Sequence, residues 1–258
     1  MTRLRALAVD VLERVGLSAA AFRVYQRLLA WRAGREPQRP DLPPAYLRVL
    51  TAGTAHPVVY LGVGANVAEE IMDLARRYGA TLGAEESVLD FGCGCGRVGA
   101  YVSATVGAAF SGCDVNPELV AWCAAHLPGE YRVTNALPPL PYADGAFSLV
   151  YALSVFTHLH EANTRAWLGE LQRVTRPGGL AVLSLFDEDI ADAAPFRGEL
   201  LKRGFTVRRE GPEGSNLLCA YMSRAGLSER AGPGWRVLEF VPAAASASGQ
   251  TLAVLRRV

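Results

Sequence analysis

At 258 residues, 50% of them hydrophobic, the chain can bury one substantial core, as one large domain or one domain with an appendage. A formal net charge of +1 leaves no electrostatic footprint for nucleic acid or for an acidic partner. Five cysteines, an odd number without a regular framework, point to a reduced protein rather than a disulfide-built secreted one.

Met1 to Asp10 interleaves charged with apolar residues, so no secretory signal is expected, and no later apolar run is long enough for a bilayer. The expected location is cytoplasmic. Leu4, Leu7, Val11 and Val15 recur at helical spacing up to Gly16, and Phe22, Tyr25 and Leu29 mark a second helix over 19–31. Arg3, Arg5, Arg14, Arg23, Arg27 and Arg32 make this pair basic and amphipathic. Three readings stay open, in this order: packing on the main domain, a homodimer contact, and membrane-surface binding. Four prolines between Arg35 and Pro44 mark a linker. Residues 1–44 are therefore read as a helical extension and 45–258 as the main domain.

Tyr46 to Leu50 is a short helical piece before the loop Thr51-Ala-Gly-Thr54. Val58 to Val63 reads as apolar loop or a short element. Asn66-x-x-Glu69 then forms a capping box for a helix through Ile71, Leu74 and Ala75 that stops at Gly79.

Val88 and Leu89 end a buried strand. Gly92, Gly94 and Gly96 follow on alternate positions, and a helical pattern opens at Arg97. Strand, glycine turn and helix make a socket for a ligand lying against bare backbone, because a missing Cβ permits positive φ and close approach. The helix start adds free N–H groups and a dipole that favours negative charge. Two cofactor classes use such a socket. Gly94-Cys95-Gly96-Arg97-Val98-Gly99 satisfies the dinucleotide spacing G-x-G-x-x-G. Asp90, inside the strand, would do nothing for a pyrophosphate and much for a cationic amino group. Cys93 and Cys95 lack a second ligand pair, so no metal site is expected, and small side chains between glycines account for them.

Ala109 to Val115 reads as strand two, ending at Asp114, about 20 residues beyond the glycines, as for a carboxylate that accepts ribose hydroxyls. Asp114 could instead cap the turn at Asn116-Pro117. Pro117 opens a helix to Leu127, and Tyr131 to Asn135 is strand three. Phe147 to Phe156 is strand four, with Ser154-Val-Phe-Thr-His158 at its carboxyl end, where open α/β sheets bind ligands. Glu161 to Thr175 is a helix, and Pro177-Gly-Gly179 turns into strand five over 180–186. Regular alternation of strand and helix gives a Rossmann-like, doubly wound α/β sheet. Val237 to Val241 and Leu252 to Val258 follow as a C-terminal antiparallel hairpin. Residues 187–234 between them are read as a substrate-side insertion with a helix at 194–203 and a lid at 216–226.

Asp90-x-Gly92-x-Gly94-x-Gly96 and this element order resemble class I S-adenosylmethionine-dependent methyltransferases, which implies a seven-stranded sheet. Pro44, Ala52-Gly-Thr54, Leu61-Gly62, Val155-Phe-Thr-His158, Arg176-Pro-Gly-Gly179 and Gln250 resemble a bacterial group within that family, found among glycan and natural-product pathways. Its usual acid after the glutamine is Thr251 here, and Ser148 replaces another common acid. The resemblance implies S-adenosyl-L-methionine as cofactor. Asp90 and the backbone of Gly92, Gly94 and Leu153 would hold its amino end, Arg97 its carboxylate and Asp114 its ribose. The other implied contacts are Cys93, Gly96, Val115, Ala136 and Asn135, the last where the family commonly has an acid for the adenine amino group. Leu137, Pro138 and Leu140 would wall the purine. A hydroxyl acceptor also needs a base near neutral pH, for which His158 is the candidate. The competing reading is a histidine that only shapes the pocket.

The fourth-strand end lacks the Asn/Asp-Pro-Pro-aromatic motif of enzymes that methylate nucleobase or glutamine amino groups. O-methylation of a small molecule, sugar or natural product is therefore the leading expectation. The alternatives are a SAM-binding partner subunit without chemistry and an NAD-dependent oxidoreductase.

Overall fold

A computed structural model describes residues 42–80, 86–211 and 213–258, with helical positions 24, 27, 28 and 31. The first predicted helix, most of the second and most of the linker lie outside the described residues, as do the dimer and membrane readings that rest on them. No helix among the described residues is long and apolar enough to cross a membrane.

The first described helices are α1 (Ala45–Ala52) and α2 (Pro57–Arg77). There follow β1 (Val88–Phe91), α3 (Gly99–Val106), β2 (Phe110–Asp114), α4 (Pro117–His126), β3 (Glu130–Val133) and β4 (Phe147–Ala152). Next come a single 3₁₀ turn (Phe156–His158), α5 (Glu161–Val174) and β5 (Thr175–Leu185). The remaining elements are α6 (Arg197–Arg203), β6 (Phe205–Arg209), β7 (Cys219–Met222), α7 (Arg224–Ala231), β8 (Trp235–Val241) and β9 (Thr251–Arg257).

Seven strands form one sheet in the order β3-β2-β1-β4-β5-β9-β8. The first five are parallel, and β9 runs antiparallel to both β5 and β8. This is the expected doubly wound sheet with its antiparallel hairpin. Side-chain alternation assigns the two faces. Val150 and Ala152 of β4, Ala181 and Leu183 of β5, and Ala253 and Leu255 of β9 pack with Trp167 and Leu171 of α5. Leu149, Tyr151, Val182 and Val254 turn the other way, onto Ile71 of α2 and Val102 of α3. Full burial of each of the valine, leucine and isoleucine side chains among them contributes about 1.5–3 kcal/mol. Successive strands run outward from β1 to one side and then from β4 to the other. The carboxyl ends of β1 and β4 thus flank the switch point where such sheets open a crevice.

Three expectations change. The helix expected from Asn66 starts at Pro57, where a proline without an N–H fits the first turn. Asn66 and Glu69 are therefore mid-helix, although Gly79 does sit at the stop with φ +82°. Strand three ends at Val133, so Asn135 lies in a loop. The lid expected over 216–226 is largely ordered core structure. β7 pairs with β6 in a separate two-stranded sheet, and Leu218, Ala220 and Met222 are buried beneath it.

Candidate active site

A cavity of about 350 Å³ opens at the carboxyl ends of β1 and β4. Its floor is the turn after β1, where Gly92, Gly94 and Gly96 have φ of +78°, +56° and +76°. A Cβ at these positions would collide with Val155, Thr51 and Leu127 respectively, so the turn is both left-handed and closely packed. Leu47, Tyr60, Cys95 and Leu119 form a small apolar cluster that clamps it from α1, α2 and α4.

The backbone of this turn departs from the expected socket. The N–H groups of Gly92 and Cys93 donate to the Cys113 carbonyl at 2.8 and 3.0 Å. That of Gly94 donates to Asp114 Oδ2 at 2.9 Å, and that of Cys95 to Thr51 Oγ1 at 3.0 Å. The Gly96 N–H closes a turn onto Cys93 O at 3.0 Å. Every N–H from Gly92 to Gly96 is thus spoken for within the fold, and none of these five faces a phosphate.

Two charges line the cavity instead. Asp90 is 3% exposed, and burial pushes its carboxyl up to about 7, against the lowering effects of the Tyr151 hydroxyl and Arg97. Arg97 lines the same cavity and makes no hydrogen bond or ion pair among the described residues. Burial lowers its pKa, countered by the electrostatic influence of Tyr60 and Asp90. Asp114 also lines the cavity. Its second oxygen accepts the Asn116 N–H at 2.9 Å, so the turn-capping reading and an open acceptor face coexist, each oxygen keeping a lone pair.

Cys93, Val115, Ala136, Leu153 and His158 all line the cavity. Gly96 supports the turn from behind without lining it. Asn135 is exposed and outside the lining, whereas its neighbours Thr134 and Ala136 are in it. Leu137 is 53% exposed, and Leu140 belongs to the sheet core, so neither walls the cavity.

His158 ends the 3₁₀ turn after β4. Its Nδ1 lies 2.7 Å from the Leu218 carbonyl, which can only accept, so Nδ1 carries the proton and Nε2 is left as acceptor. Burial lowers its pKa, partly opposed by that carbonyl. The ring is therefore neutral near pH 7. The segment Glu213 to Leu217 closes over it, with the Gly214 N–H on the His158 carbonyl at 2.9 Å.

Several lining residues escaped the sequence reading. Thr51 belongs to α1 rather than to the expected loop, and it lines the cavity beside Leu50 of the same helix. Ser154 takes φ +58° without being glycine, which nothing in its residue type announces. Glu213, Gly214 and Ser215 lie just ahead of the expected lid, whose first residues Asn216 and Leu217 line the cavity with them.

Residues 88–179 match the family model for a methyltransferase domain. Residues 88–179 carry a methyltransferase domain, set in a sheet with the strand order of the class I fold. Similar curated proteins include the demethylmenaquinone methyltransferase of Tropheryma whipplei, 34% identical over 122 residues, or 46% of this chain and 48% of that one. An O-methyltransferase of Aspergillus sclerotiorum is 32% identical over 132 residues, 45% of this chain and 49% of that one. The chain spans about half the length of the curated relatives it matches. The methyltransferase fold also recurs in a glycopeptide N-methyltransferase solved with S-adenosylmethionine, at TM-score 0.53 and 16% identity, covering 75% of this chain and 95% of that one. Among the described residues of the methyltransferase domain, no group of three or more His, Cys, Asp or Glu could hold a metal ion.

Proposed function

We propose that the chain binds S-adenosyl-L-methionine and transfers its methyl group to a hydroxyl of a small molecule, sugar or natural product. The observation that carries this reading is the pair of opposite charges in the cavity, buried Asp90 and unpaired Arg97. An amino-acid moiety carries the complementary pair, an ammonium and a carboxylate. A dinucleotide does not, and the occupied N–H groups from Gly92 to Gly96 leave its pyrophosphate without the usual cradle.

In this reading Asp90 receives the ammonium, Arg97 the carboxylate and Asp114 the ribose diol. When bound, S-adenosylmethionine supplies an electrophilic methyl group on a sulfonium. The chain's main contribution is alignment of acceptor, methyl and sulfur. His158 Nε2 would take the hydroxyl proton as the acceptor oxygen bonds to the methyl carbon and the carbon–sulfur bond breaks, leaving S-adenosylhomocysteine. The name of the Aspergillus relative supports oxygen as acceptor atom. Titration calorimetry with S-adenosylhomocysteine and with NAD tests the cofactor. Micromolar binding of the first and none of the second is expected, and tight NAD binding without S-adenosylhomocysteine binding overturns the proposal.

A further inference from the structure

The residue that joins β4 to the 3₁₀ turn is Ser154, the one described non-glycine residue at positive φ. Serine rarely occupies that region, and such positions persist only where the surroundings hold them. Two side chains distant in sequence do so. The Ser154 N–H donates to Ser184 Oγ of β5 at 2.7 Å, and Ser154 Oγ accepts from Gln250 Nε2 at 2.6 Å. Ser184 is fully buried.

Gln250 comes from the far side of the sheet, in the loop between β8 and β9. That loop is tied down in turn: Glu70 of α2 accepts from Ser246 Oγ at 3.0 Å and from the Ala247 N–H at 2.9 Å. The Gln250 N–H donates to Ser248 Oγ at 3.1 Å. Gln250 Oε1, meanwhile, is buried without a hydrogen-bond partner among the described residues. An orphaned buried carbonyl costs stability that an apolar side chain of the same length would not. Packing alone therefore gives no reason for an amide at this position. Delivery of an N–H to Ser154 does.

Leu153, Ser154 and Val155 all line the cavity, and Val155 rests against Gly92 so closely that no Cβ fits there. A clamp on Ser154 therefore sets the wall facing the glycine turn. We infer that Gln250 is a positioning residue: through Ser154 it holds the left-handed backbone that shapes the cofactor side of the cavity. This rests on the reading of the cavity as an S-adenosylmethionine site.

The test is S-adenosylhomocysteine affinity, measured by titration calorimetry on the full chain, for wild type, Gln250→Met, Ser154→Gly and the double variant. Gln250→Met keeps the side chain's length and removes both polar atoms. It is expected to weaken binding about three- to tenfold, the worth of one hydrogen bond, with a melting temperature within about 2 °C of wild type. In the Ser154→Gly background, where the Oγ acceptor is gone, the same substitution is expected to change affinity by less than about twofold. Wild-type affinity in Gln250→Met overturns the inference. So does an equal loss in both backgrounds, since Gln250 would then act by another route. A wild-type chain that does not bind S-adenosylhomocysteine overturns the cofactor reading itself, before any variant is compared.

Discussion

Asp90 occupies the face of β1 from which Val88 packs toward α2 and α3, a position where a core residue would otherwise stand. Its carboxyl, pushed up to about 7 by burial, is largely protonated in slightly acidic solution. An ammonium partner favours the ionised form, so S-adenosylhomocysteine affinity should climb as pH rises from 6 to 8 and level off above that. Calorimetry across that range checks it, and Asp90→Asn should be weaker and flat. The stability sign is opposite. A carboxyl whose folded value lies above its unfolded one lowers stability as pH rises from about 4 toward 7. The free Asp90→Asn protein should therefore melt higher than wild type at pH 8. His158 behaves differently. Its value is lowered from 6.5 by burial, so the neutral base is already present at pH 7 and turnover should fall only below about pH 6.5. His158→Ala should lower turnover about 10²–10⁴-fold while leaving S-adenosylhomocysteine affinity within about threefold. Unchanged turnover would reduce His158 to a wall of the cavity.

At the scale of elements, the glycine turn depends on what is pressed against it. Gly64 of α2 is a case that a side chain cannot relieve, because a Cβ there would collide with the backbone carbonyl oxygen of Arg97. Gly64→Ala should cost about 1–3 kcal/mol in urea unfolding, and weaken S-adenosylhomocysteine binding by shifting Arg97. An alanine at Gly62, where a Cβ meets open space, is the matched control. This contact also explains why α2 was only half legible. Val58 and Val59 are 72% and 50% exposed, so the first turns have no apolar stripe to read. Gly62 and Gly64 then lower helical propensity, and for Gly64 the packing reason, Arg97, lies 33 positions away in sequence. β1, β4 and the Leu180–Leu185 part of β5, by contrast, could be read from their apolar runs, because each is buried on both faces.

For the molecule as a whole, the doubly wound sheet and a crevice at its strands' carboxyl ends followed from alternation of strand and helix, whereas the order of the strands comes from the structure. Asp90, the glycines and Asp114 were legible because chemistry and spacing coincide within one strand–turn–helix unit. The partners of the turn's N–H groups were not. Thr51 reaches Cys95 across 44 positions, and Gln250 reaches Ser154 across 96. The 213–217 segment was expected on the substrate side, but its seat over His158 was not, as that is set by where β6 and β7 come to rest.

The position of β9 has a consequence for how the domain assembles. It is the final strand described, yet it lies inside the sheet, with β5 on one side and β8 on the other. Leu183 must wait for Ala253, and Ser184 for Leu252, before either strand is saturated. Pairings this distant close late, because the intervening loop entropy must be overcome first. During synthesis β1 to β5 can associate while β5 remains an open, apolar edge of the kind that invites pairing with a neighbouring chain. The same late strand brings in Gln250, so the crevice would acquire its finished wall in the last step of folding, together with protection from aggregation.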